Sequence, residues 1–130
     1  MRIRFSLLLI SLAVMAGCQN KKPTVAAEPV KIIFDTDLGP DYDDVGALAF
    51  LHAMADSGKA EILATLSSNK HELVVPSIEV INTYFNRPDL PLGAPKGNGA
   101  SMGSSQHWAD SIVAKYPHTT GSTSDAPDAV

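Results

Sequence analysis

A single cysteine, Cys18, occurs in the 130 residues of the chain. That excludes an internal disulfide framework and any cysteine-based structural zinc site. A basic excess is also missing: ten Lys and Arg stand against fourteen Asp and Glu, for a formal charge of −4. A nucleic-acid binder needs a basic face, so the balance argues against that partner. No hydrophobic run is long enough for a bilayer. The best candidate, Phe5 to Gly17, would span roughly 20 Å as a helix, against a hydrocarbon core of about 30 Å. There are no internal repeats, and the length is that of one domain.

What is present begins with that short apolar run. Arg2 and Arg4 precede it, and together they have the layout of an export signal rather than a transmembrane anchor. The run ends in Met15-Ala16-Gly17-Cys18, which resembles the lipobox of bacterial lipoproteins, with Met where Leu is usual. The resemblance implies that residues 1–17 are a signal peptide and that Cys18 is lipidated. Residues 18–29 would then tether the protein to a membrane of the bacterial cell envelope, facing the periplasm or the exterior.

From Val30 the pattern changes. Val30 to Phe34 is a β-branched run of strand length. Asp44 to Ser57 reads as a helix, with Ala47, Phe50, Leu51 and Met54 at helical spacing and Val45, Leu48 and Ala49 on a second side. A helix apolar over so much of its circumference is expected to be largely buried, and Gly58 is its natural stop. Ala60 to Leu66 is a second strand. Val74, Ile78, Ile81 and Phe85 form a helical stripe, and Leu90 to Leu92 a short third strand. Alternating strands and helices imply right-handed βαβ units. The expected fold is therefore α/β, a Rossmann-like open parallel sheet with helices on both faces, over residues 30–130. Gly93 to Ser105 reads as loop, and Gln106 to Tyr116 as a short helix. Ser122 to Val130 reads as the capped start of another helix, which suggests that the domain is truncated.

The chemistry concentrates in one turn. Five of the ten aspartates, Asp35, Asp37, Asp41, Asp43 and Asp44, fall within ten residues after the first strand. One helix N-cap needs one of them. Five carboxylates at a single strand-to-helix crossing repel one another unless a cation compensates. They lie at the carboxyl end of a parallel strand, where open α/β sheets bind ligands. Oxygen ligands without nitrogen or sulfur suit a hard cation such as Ca²⁺ or Mg²⁺. An EF-hand does not fit: with Asp35 first, the fifth position is Gly39 and the twelfth is Gly46. A haloacid-dehalogenase-type phosphatase shares the Asp35-x-Asp37 opening, but leaves Gly39 and the Asp43-Asp44 pair unexplained.

Asp35-Thr-Asp37-Leu-Gly39 followed by Asp43-Asp44-Val-Gly-Ala-Leu-Ala resembles the N-terminal signature of the inosine–uridine-preferring nucleoside hydrolase family. Here the turn is longer, with Pro40-Asp41-Tyr42 inserted, as in bacterial branches of that family. Leu66-Ser-Ser-Asn69 and Asn82 to Gly93 continue the resemblance, which is good over residues 30–98 and loose beyond. Family members are more than twice this length. The resemblance implies calcium-dependent hydrolysis of ribonucleosides to ribose and free base. Asp37 would be a calcium ligand and the general base, Asp44 the bidentate calcium ligand, and Asp43 a holder of ribose hydroxyls. Asn69 would orient Asp37 or the sugar, and Asp35 would be a further acid in the site. Asp41 has no assigned role. The partner would be a small-molecule nucleoside, and the full-length form a homo-oligomer. The alternatives are a calcium- or ribose-binding lipoprotein fragment without catalysis, and the phosphatase.

Other polar residues carry weaker signals. His52 reads as a helix-face histidine. His71, close after Asn69, is placed to line a cleft, and His107-Trp108 to contribute to a lid over a base. Gly97-Asn-Gly99 follows no strand-to-helix crossing, so it does not read as a phosphate cradle.

Overall fold

The computed structural model describes residues 27–129. The expected signal, Cys18 and most of the tether lie outside the described residues. Among the described residues no helix is long and apolar enough to cross a membrane. The elements are β1 (Val30–Thr36), α1 (Asp43–Asp56), β2 (Ala60–Ser67), α2 (Val74–Tyr84), β3 (Leu92–Gly93) and α3 (Trp108–Lys115), followed by one 3₁₀ turn, Thr123–Asp125. The strands are parallel and lie in the order β1-β2-β3. The chain is thus an α/β fold, as its alternating pattern implies. The third strand begins two residues later than expected. Pro91 has no N–H to give to a ladder, although its carbonyl accepts from Thr65 N at 2.9 Å.

Both crossovers step the same way across the sheet. Two right-handed crossovers in one direction place both helices on one face. The packing agrees. Leu48 of α1, Val74, Ile78 and Ile81 of α2, Phe34 of β1 and Leu92 of β3 belong to a single cluster. Leu51 of α1 meets Ile32, Ile62 and Ala60 in a second. Helices on both faces were expected; among the described residues α1 and α2 share one. The other face keeps Ile33 and Leu63 at 61% and 39% exposure. Leu63 is also the extra residue of a bulge, because Ile32 pairs with Ile62 while Ile33 pairs with Ala64.

The two helices differ in burial. α2 is buried from Val74 to Asn82, lying between the sheet and α3. α1 buries only Leu48, Leu51 and His52. Phe50 is 67% exposed, so the expectation of a largely buried α1 fails on its outer side. The face that meets the sheet runs through Leu48 and Leu51 rather than Ala47 and Phe50. His52 is wholly buried and stacks on Phe85 at 4.6 Å. It belongs to a polar chain through the core: Asn82 donates to Thr65 Oγ1 at 2.8 Å, and its Oδ1 meets His52 Nε2 at 2.9 Å. Arg87 lies 3.4 Å from His52 Nδ1 and pairs with Asp56 at 2.6 Å. Burial holds the imidazole below its ordinary pKa, so a neutral ring fits this chain.

α2 has no side-chain cap of its own. Thr123 supplies one from 48 residues away, its Oγ1 accepting from Val75 N at 3.0 Å and donating to His71 O at 2.7 Å. The helix expected to begin at Ser122 is a single 3₁₀ turn. Ala126 precedes a proline and is extended, with φ −66° and ψ 152°, because the proline ring disfavours a helical residue before it. The chain then runs beside β3, Ala94 N bonding Pro127 O and Ala129 N bonding Ala94 O.

Glu79 is a buried acid on α2 that periodicity does not single out. Its carboxylate accepts from Thr119 N, Thr119 Oγ1 and Thr120 N at 2.6–2.9 Å. Burial alone would raise its pKa, but these bonds outweigh it and bring it from 4.5 to about 2. A depressed acid stabilises the fold above its unfolded value and loses that contribution as pH falls through the folded one. Glu79's own contribution, on the order of 3 kcal/mol, should therefore be lost between pH 4.5 and pH 2. Glu79→Gln should flatten that part of the curve in urea titrations at several pH values. An unchanged slope would show that the Thr119–Thr120 loop does not depend on the charge.

Candidate functional site

Thr36 ends β1, and the chain turns at once into the acidic segment. Its hydroxyl accepts from Leu38 N at 3.0 Å, and its carbonyl accepts from Ser68 N at 2.9 Å. Leu38 is fully buried beneath the turn, in the cluster with Leu48 and Val74. Gly39 follows at φ +146°, where a side chain would be strained and would also crowd Met102 O. A buried leucine and a required glycine thus fix how the chain passes from strand to helix. Tyr42 stands at the N-cap of α1 without a side-chain capping bond. The aspartates are therefore not consumed by capping in the simple sense.

They come together in pairs. The Asp44 carboxyl is half-buried, and the Asp37 carboxyl and the Thr36 hydroxyl are near enough to act on its charge. Burial raises its pKa above the ordinary carboxylate value; the Thr36 hydroxyl opposes this and Asp37 adds to it. Asp41 and Asp43 form a second, fully exposed pair. Their shared hydrogen bond raises Asp41 and lowers Asp43, and Asp43 also accepts from backbone N–H groups of Asp43 and Asp44. The ion pairs formed among the described residues join Lys31 to Glu61, Arg87 to Asp56 and His107 to Asp110. None reaches the acidic turn. No three His, Cys, Asp or Glu side chains gather as a metal site among the described residues.

Asp35 lies elsewhere. Strand alternation turns it away from the face that Phe34 and Thr36 line. It borders a separate cavity of about 220 Å³ with Leu66, Ser68, Pro95 and Asn98. The expectation that Asp35 shares one cleft with the other acids is not met.

Asn69 is fully buried at the end of β2. Its Nδ2 donates to Asp37 O at 3.1 Å and to Met102 O at 2.7 Å. Its Oδ1 accepts from His71 N at 3.0 Å and Met102 N at 3.1 Å. Its bond to Asp37 is made to the main chain and not to the carboxylate. His71 is half-buried; Leu73 N reaches its Nδ1 at 3.4 Å, and its ring fills the space beside Gly103. The Gly-rich loop is thereby held against the acidic turn. Tyr42 adds a second tie, donating to Gln106 Oε1 and packing its ring 5.9 Å from Trp108. Trp108 Nε1 is buried and has no hydrogen-bond partner among the described residues, and His107 adopts φ 54°. Trp108 also lines an apolar groove of about 380 Å³ with Val45, Ala49, Phe85 and Ile112. A lid role for His107-Trp108 gives way to a structural one for the tryptophan.

Thr36, Tyr42 and Met102 were not singled out by sequence reasoning. Thr36 alone had a signal, as the one hydroxyl set between two aspartates at a strand end.

No family model, curated protein or solved structure matches the chain. The likeness to nucleoside hydrolases rests on the signature residues themselves.

Proposed function

We propose that this chain carries the calcium and water half of a nucleoside hydrolase site, in the N-terminal part of a Rossmann-like domain. The reaction is hydrolysis of the N-glycosidic bond of ribonucleosides, giving ribose and free base. One observation carries the reading: two carboxylates, Asp37 and Asp44, lie near each other at the end of a parallel strand, and among the described residues no ion pair reaches them. An oxygen-only, anionic donor set fits a hard cation. It is a partial fit, because calcium takes six to eight oxygens and this pair supplies about half.

In this reading Asp44 and Asp37 hold calcium, which when bound acidifies a water and fixes sugar hydroxyls. Asp37, the exposed member of the pair, accepts the proton of the attacking water. Asp43, kept ionised by its bond from Asp41, accepts hydrogen bonds from ribose hydroxyls. The carboxylates also stabilise the positive charge that develops on the sugar as the bond to the base breaks. Asn69 keeps the Asp37 main chain in place. Export and lipidation at Cys18 would hold the domain at a bacterial membrane, and a longer form would be a homo-oligomer. The phosphatase alternative needs Asp35 and Asp37 in one cleft, which the position of Asp35 disfavours.

Ribose release from inosine or uridine, assayed on a longer chain carrying these residues, tests the reading. The 130 residues alone are expected to release none and to bind calcium in the millimolar range at best. Asp44→Asn should weaken calcium binding steeply. Turnover of p-nitrophenyl phosphate with nucleosides untouched would overturn the assignment.

A further inference from the structure

We infer that Asn98-Gly99 is a self-modifying step, at which Asn98 loses its side-chain amide and becomes aspartate or isoaspartate on the wall of the Asp35 cavity. Lys70 pins this turn on both sides: its N donates to Ala100 O at 2.7 Å and its Nζ to Gly97 O at 3.4 Å. Between the two anchors Asn98 is exposed. Among the described residues no hydrogen bond engages its side chain or the Gly99 amide. Gly99 has no side chain to shield that amide. Packing keeps the position a glycine, since a Cβ there would stand 2.7 Å from Pro95 Cγ and 3.3 Å from Ser68 O. The other described asparagines lack this combination. Asn69 and Asn82 are buried, with their side chains bonded to Met102 O and to Thr65 Oγ1. The amides that follow Asn69 and Asn86 are engaged, Lys70 N with Ala100 O and Arg87 N with Asn82 O.

The reaction is intramolecular, so its two groups meet at a high effective concentration. Gly99 N gives up its proton and bonds to Asn98 Cγ. The Cγ–Nδ2 bond breaks, and the amide nitrogen leaves as ammonia, carrying a proton in exchange. Water then opens the cyclic imide at one of its two carbonyls. Opening on one side restores the main chain with an aspartate side chain; opening on the other routes the main chain through the side chain, as isoaspartate. Water is the only reagent consumed and ammonia the only product released. Asn98 lines the cavity of about 220 Å³ in which Asp35 is the one acid. Either product brings a second carboxylate to that cavity, where the two negative charges repel. Isoaspartate also lengthens the main chain next to Gly99, where Pro95 leaves no spare room.

The test is peptide mass spectrometry of the whole chain after incubation in mildly alkaline buffer, which speeds loss of the amide proton, with and without urea. The folded chain should lose the amide at Asn98 and give two product peptides of equal mass, aspartate and isoaspartate. Asn69, Asn82 and Asn86 should stay intact in the same sample. Asn98→Gln should stop the conversion, because its longer side chain closes a larger and slower ring, and should leave the urea midpoint unchanged. Conversion of Asn98 in urea but not in the folded chain would mean that the fold shields the turn, and overturns the inference. So does conversion no faster at Asn98 than at Asn86. Aspartate formed without its isomer overturns the ring-closure step.

Discussion

Asn69→Leu is expected to destabilise the chain by about 3–5 kcal/mol, because it strands several part-buried backbone groups at once. The leucine fits the volume but leaves Met102 N and O, His71 N and Asp37 O without the partners they have at 2.7–3.1 Å. Each unpaired buried group costs about 1–3 kcal/mol, tempered where the loop relaxes to admit water. A domain of this kind has about 5–15 kcal/mol in all, so the loss would approach unfolding. Asn69→Asp should be nearly as harmful, since a carboxylate would face the carbonyls of Asp37 and Met102. Urea midpoints check both, and hydrogen exchange of the Met102 and His71 amides localises the effect. A loss below about 1 kcal/mol would mean that the Gly-rich loop does not lean on this side chain.

Asp37→Asn should have the opposite profile. Its main-chain carbonyl is the part that Asn69 holds, and its side chain is exposed. The fold should therefore tolerate the amide, and relief of repulsion with Asp44 should leave metal-free stability equal or slightly higher. Turnover by a longer chain should fall by at least about a hundredfold, the usual worth of a general base, with ribose binding much less affected. Turnover within a few-fold of the parent would remove Asp37 from the role of base.

These two aspartate-turn neighbours show what was readable in advance and what was not. The strands and helices were legible because Val30 to Phe34, Ala60 to Leu66 and the Val74–Ile81 stripe carry their own periodicity. The burial of α1 is less than its sequence implies, since the stripe of Ala47, Phe50 and Leu51 and the side of Val45, Leu48 and Ala49 are both apolar. Only the sheet decides between them. The start of a helix at Ser122 was plausible locally, but the proline after Ala126 and the pairing with Ala94 prevailed. At the candidate site, Asp37, Asp44 and Asn69 were legible as a motif. Their pairing was not, because which carboxylates meet depends on the buried Leu38, the Gly39 backbone and Thr36. The capping of α2 by Thr123, 48 residues distant, had no local trace at all.

The winding of the sheet gives the acidic turn two different fates. Strands added beside β3 would keep the present direction of travel, and the turn would stay on an outer rim. A strand added beside β1 would reverse that direction, and the right-handed rule would send its helix to the face where Ile33 and Leu63 stand bare. Connections on either side of β1 would then diverge, opening a crevice above its carboxyl end. Asp37 and Asp44 would become the floor of that crevice, walled on both sides and partly shielded from solvent. In that setting a cation between the same two carboxylates would be held far more tightly than one at a rim.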